Sequence, residues 1–127
     1  MDATIIEKEL LNTVEKIGTL SQEVARAHTT WKGAEYEWER QEALAFTLLK
    51  AKHEHATLKE LQTLVMEYPT VHDARMKHLI SESHYRNLSG QLEYLKTRVD
   101  IFRSLLGMER AKVEAAIELG DYNVSGH

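Results

Sequence analysis

Apolar residues recur at alternating spacings of three and four from Tyr85 to Leu106. They are Tyr85, Leu88, Leu92, Leu95, Val99, Phe102 and Leu106. This period of about 3.5 residues predicts a helix with one apolar stripe made for another helix. The residues between, such as Glu93, Lys96, Arg98, Asp100 and Arg103, are polar. The N-terminal half carries a similar rhythm. Leu10, Ile17, Val24, Trp31, Trp38 and Ala45 lie seven apart, with Ile6, Leu20, Ala27, Ala34 and Leu48 in the companion position and Thr13 and Gln41 as interruptions.

Punctuation divides the pattern into three predicted helices. The first covers about 4–17 through Ile6, Leu10, Leu11, Val14 and Ile17. Gly18 ends or kinks it, and Thr19-Leu20-Ser21-Gln22 fits a capping box for a restart. The second runs over about 20–67 until Pro69, which cannot continue a helix and biases Tyr68 away from one. Thr70-Val71-His72-Asp73 reads as a capping box opening the third, about 70–118, with Val113, Ala116 and Ile117 extending its apolar side. Gly90 sits inside it, as a close helix approach would explain. Residues 119–127 read as a flexible tail. The expected fold is all-α: one domain over 1–118, a short N-terminal helix plus a long antiparallel helical hairpin, coiled-coil-like. Arms of nearly fifty residues reach about 70 Å and enclose little core. Stripes left wet in one copy predict an oligomer, joined through the Tyr85–Leu106 seam.

Composition narrows the function. The 127 residues include one proline, six glycines and no cysteine, which fits an all-α chain and excludes disulfide and thiolate chemistry. No run is apolar enough to span a membrane, the charged N-terminus is unlike a secretion signal, and a cytoplasmic location is expected. A net charge of −4 argues against general coating of nucleic acid, so any such role needs locally concentrated cations. They occur before the predicted turn, at Lys50, Lys52 and Lys59, and after it, at Arg75, Lys77 and Arg86. His53, His55, His72, His78 and His84 lie in the same interval and add charge below neutral pH. In an antiparallel hairpin both groups fall near one end.

Other chemistry finds little. Glu35, Glu37, Glu39 and Glu42 form an acidic patch that reads as a solvated face. Trp31 and Trp38 share a face and read as packing anchors, with base stacking the sharper alternative. His72, His78 and His84 recur every six residues rather than every four, so no metal site is expected. There is no phosphate-cradling glycine loop and no nucleophile elbow, so neither an enzyme nor a cofactor is expected.

Leu49-Lys50-Ala51-Lys52, late in a long helix and some twenty residues after Trp31-Lys32, resembles the motif of the small phage recombination mediators of the UvsY type. The likeness in length and pattern covers about residues 20 to 115. It implies binding of single-stranded DNA and a ring of about six or seven copies. Its partners would be a strand-exchange recombinase and single-strand-binding protein, in the host cell cytoplasm. The motif's basic residues fall on Lys50 and Lys52, which carry the family's DNA contact here. The family's C-terminal helical region drives oligomerisation, matching the seam. The aromatic pair expected after the motif is replaced by His53, Glu54, His55 and Ala56, which leaves phosphate attraction in place of stacking. The sequence thus predicts a recombination mediator whose DNA-binding residues are Lys50, Lys52, Lys59, Arg75 and Arg86. The rival is a helical structural or adaptor protein, for example in a phage particle, that binds no DNA.

Overall fold

The computed structural model describes the backbone of residues 2–125 and the side chains of residues 2–120. It is all-helical among these residues: α1 (Ala3–Lys52), α2 (Leu58–Glu67) and α3 (Pro69–Ser125).

These boundaries correct the expected ones in four places. Gly18 does not end a helix. Thr19 turns its hydroxyl back to the Glu15 carbonyl (3.5 Å), as an interior helical threonine does, so the supposed capping box is ordinary helix. The break falls instead at residues 53–57, inside the expected second helix. Thr57 is the cause. Its side chain accepts from the Glu60 backbone N–H at 3.2 Å, while the Glu60 carboxylate accepts from the Thr57 N–H at 3.4 Å, a complete capping box that opens α2. Upstream, Lys50 and Lys52 in the last turn of α1 suit its negative end. The third correction is at Pro69, which begins α3 rather than preceding its cap. Proline fits the first helical position because the missing N–H would be unpaired there anyway. Thr70 is therefore interior. α3 also continues past 118 to Ser125, through most of the expected tail; Gly126 and His127 lie outside the described residues.

The chain divides into two compact units. One is Gln22–Ser89, comprising the second part of α1, all of α2 and the start of α3. Its core gathers Ala45 and Leu49 of α1, Leu61 and Val65 of α2, and Val71 of α3, with Trp38, Phe46, Leu64 and Tyr68 against it. Contacts pair rising numbers on α1 with falling ones on α3: His28 with Tyr85, Trp38 with His78. The segments therefore run antiparallel within this unit. Leu48, expected on the inner face, is 58% exposed, and Leu49 is buried in its place. A straight helix drifts about 20° per heptad against a strict seven-residue repeat, which is enough to move the buried position by one.

The other unit joins Met1–Ser21 to Gly90–His127. Ile6, Phe102 and Leu106 form its core, with Leu10 and Leu105 beside them. Thr13 is buried but satisfied, its hydroxyl donating to the Glu9 carbonyl at 2.8 Å. Leu11 and Val14 face outward, as do Val113 and Ile117, so the apolar side expected beyond Leu106 is uncovered. Nothing lies within 4 Å of a Cβ placed on Gly90, so no close approach requires that glycine.

Candidate nucleic-acid interface

All five basic residues expected to meet DNA lie in the unit Gln22–Ser89, on its surface. Three of them flank the α1–α2 connection, and Arg75 follows the α2–α3 connection. Lys50 and Lys52 close α1, Lys59 stands in the first turn of α2, and Arg75 lies in the second turn of α3. Lys50 and Lys52 are two residues apart and point to nearly opposite sides of α1, about 200° around the axis. Lys50 leans over the Phe46 ring, with 5.9 Å to its centroid. None of these four cations is in an ion pair.

Arg86 is elsewhere. It donates twice to Glu82 (2.8 and 3.0 Å) and stacks at 5.8 Å over the Trp31 ring. Trp31 lies nineteen residues before Lys50 on α1, about 28 Å along the axis. The structure thus splits the expected set into a junction group and a separate arginine already committed to a carboxylate.

Carboxylates share the junction. Between residues 49 and 75, Lys50, Lys52, Lys59 and Arg75 are matched in number by Glu54, Glu60, Glu67 and Asp73. Glu60 is engaged in capping Thr57. Any grip on phosphate here is consequently local, resting on which cations stand free rather than on net charge.

The histidines expected to add charge do not act alike. His53, His55, His72 and His84 are exposed, but His78 is only 8% exposed. Its Nε2 accepts a hydrogen bond from the Trp31 indole N–H at 3.0 Å, and its ring lies 5.1 Å from that of Trp38. Nδ1 is buried without a hydrogen-bond partner. Because Nε2 accepts, the ring proton sits on Nδ1. Trp31 stacks on Tyr85 at 5.1 Å on one side and carries the Lys32 ammonium at 4.2 Å. Its ring is therefore a packing anchor already in contact with its neighbours, not a free platform for a base. This His28–Trp31–Trp38–His78–Tyr85 layer was missed as a unit. The seven-residue spacing of the tryptophans and that of His78 and Tyr85 were its only signals in the sequence.

The acidic patch on α1 is partly structured. Arg40 donates to both oxygens of Glu37 at 2.9 Å and Gln41 adds a third bond at 2.9 Å. The Arg40 bonds, then the Gln41 bond, hold the Glu37 carboxyl at about 2, with Lys77 of α3 assisting through space. Glu35 pairs with Lys32 at 3.1 Å. Glu39 and Glu42 are in no ion pair.

The Tyr85–Leu106 seam is mostly consumed within the chain. Leu88, Val99, Phe102 and Leu106 are buried, and Tyr85, Leu92 and Leu95 half-buried. Four of its seven positions are thus covered within one chain, and three are left partly open. Among the described residues no group of three histidine, aspartate or glutamate side chains is placed to hold a metal, and no helix is long and apolar enough to cross a membrane. Compared with known proteins, the chain matches no family model, no characterised protein sequence and no solved structure.

Proposed function

We propose that this protein is a recombination mediator that binds single-stranded DNA through the junction cations and helps a strand-exchange recombinase load onto DNA covered by single-strand-binding protein. The observation that carries the reading is the set Lys50, Lys52 and Lys59, exposed and without carboxylate partners on either side of residues 53–57, with Arg75 exposed and unpaired on α3. The resemblance at Leu49-Lys50-Ala51-Lys52 supplies the biological context. Arg86, tied to Glu82, is a secondary contact at most. Four cations per copy hold phosphates weakly, so useful affinity comes from several copies sharing one strand. The assembly belongs to the same proposal: a homo-oligomer, ring-like, with coiled-coil-type contacts between helices.

Fluorescence anisotropy with labelled oligo-dT tests the DNA arm. Binding without sequence preference is expected, with log affinity falling against log salt by about 0.7 per phosphate engaged, or about 2.8 for four. Lys50→Ala with Lys52→Ala should weaken binding and lower that slope by about 1.4. No binding at low salt overturns the proposal, as does a double variant that binds like the original. The competing reading is a helical adaptor that meets only proteins. It is favoured by the balance of acids and bases at the junction and by exposed side chains such as Tyr36, Leu48 and Met66. The same titration separates the two.

A further inference from the structure

With most of the Tyr85–Leu106 seam covered internally, other apolar surfaces remain open, and one on each unit matches the other in chemistry. The first is a groove of about 760 Å³ between α1 and α2 in the unit Gln22–Ser89. Phe46, Ala43, Val65 and Met66 line it, and Glu39 and Glu42 stand at its N-terminal end on α1. Met66 is 59% exposed, and neither carboxylate has a cationic partner. Two unpaired carboxylates over an apolar floor suit a helix face that is itself apolar and basic.

This chain contains such a face in its other unit. Tyr94, Ile101 and Met108, seven apart on α3, are 61%, 52% and 58% exposed, on a side away from buried Val99, Phe102 and Leu106. Arg98 and Lys112 lie one turn beyond Tyr94 and Met108 on the same face. Arg98 has no carboxylate partner; half-buried, it lies between the Phe102 ring (5.4 Å) and the Tyr94 ring (5.9 Å), whereas Lys112 is paired with Glu109. The acids Glu93 and Asp100 lie along one edge of this face, about 80° and 100° from Ile101 around the helix, and Arg98 lies about 60° to the other side.

We infer that the Tyr94–Met108 face of one copy docks in the Phe46–Met66 groove of a second copy. The dimensions agree: residues 39–47 of α1 span about 12 Å, and Ile101 to Met108 about 10.5 Å. Seating those two side chains against Phe46 and Met66 leaves Arg98 one turn away, at the end where Glu39 and Glu42 stand. Methionine meeting methionine and an aromatic ring is a favourable, adaptable contact. The surfaces differ, so the contact is heterologous: each copy offers a groove to one neighbour and a face to another. Heterologous contacts build rings or filaments. This inference rests on the self-assembly in the proposed function and assigns it to specific surfaces.

Sedimentation velocity on the full chain tests it with two variants at exposed positions. The groove variant is Glu39→Lys with Glu42→Lys, and the face variant is Ile101→Glu with Met108→Glu. Circular dichroism confirms that each folds, and Met66→Lys is an independent groove variant. Each should weaken self-association by about 100-fold or more, since like charges then oppose contact. Mixing the groove and face variants should restore association, because the intact face of one fits the intact groove of the other and the altered pair, lysines against glutamates, no longer opposes like charges. Wild-type self-association should also weaken as salt rises. A groove or face variant that assembles like wild type sinks the docking but leaves oligomerisation standing. A mixture that stays monomeric, or a wild-type chain monomeric at all concentrations, also sinks it. Oligo-dT binding by a monomeric wild-type chain would keep the DNA arm while this inference falls.

Discussion

Replacing Trp31 by phenylalanine removes one hydrogen bond from the aromatic layer. A six-membered ring remains to meet Tyr85 and Lys32, but the indole N–H goes, together with the pyrrole carbons beside it. His78 Nε2 then joins Nδ1 as a polar atom without a partner in a ring only 8% exposed. Stranding such an acceptor costs about 1–3 kcal/mol. For a chain of this length 2 kcal/mol corresponds to a fall in Tm of about 8 °C. The reverse deletion behaves differently. His78→Leu removes both buried nitrogens and leaves the N–H of a half-buried tryptophan with access to water, so its cost should stay below about 1 kcal/mol. The double variant should be less destabilised than the sum of the two, with a coupling of about 1 kcal/mol. Urea unfolding followed at 222 nm measures all three. A Trp31→Phe variant within 0.5 kcal/mol of wild type, or one more stable than His78→Leu, would refute the assignment of this bond as a structural tie.

Two further outcomes follow from local geometry. Thr57→Ala removes the side-chain half of the capping box and should destabilise the chain by about 1 kcal/mol, read as a lower urea midpoint at unchanged slope; Thr57→Ser should restore most of it. The Glu37 carboxyl is held at about 2, below its ordinary 4.5, by Arg40 and Gln41. A depressed folded value means that its contribution is complete above about 4.5 and fades as pH falls towards 2. The stability difference between wild type and Glu37→Gln should therefore shrink over that window and stay constant from pH 5 to 8.

Periodicity exposed the helices and most of their inner faces. Ile6, Ala27, Ala45, Leu88, Val99, Phe102 and Leu106 are all buried as the three-and-four spacing requires. What periodicity cannot name is the element that covers a face. The seam from Tyr85 to Leu106 was expected to meet another copy, yet four of its seven positions are buried inside one chain. The break at 53–57 was written locally, as Thr57-Leu58-Lys59-Glu60 before an apolar run. It was masked because apolar residues on either side carry the rhythm across it. The Trp31–His78 bond joins residues 47 apart and leaves no local mark in the sequence. Of the basic set, the chain order showed which cations cluster at the junction. It did not show that Arg86 was already taken by Glu82.

Every ion pair among the described residues joins side chains three or four positions apart on one helix. None bridges two helices, so these pairs reinforce individual turns; between helices charge acts only through space, as Lys77 of α3 does on Glu37 of α1. Apolar layers direct which helices meet, with the Trp31–His78 bond among the ties between helices. Mutational drift can therefore rewrite the outer charges, retuning what the molecule attracts or repels, while its architecture is inherited intact.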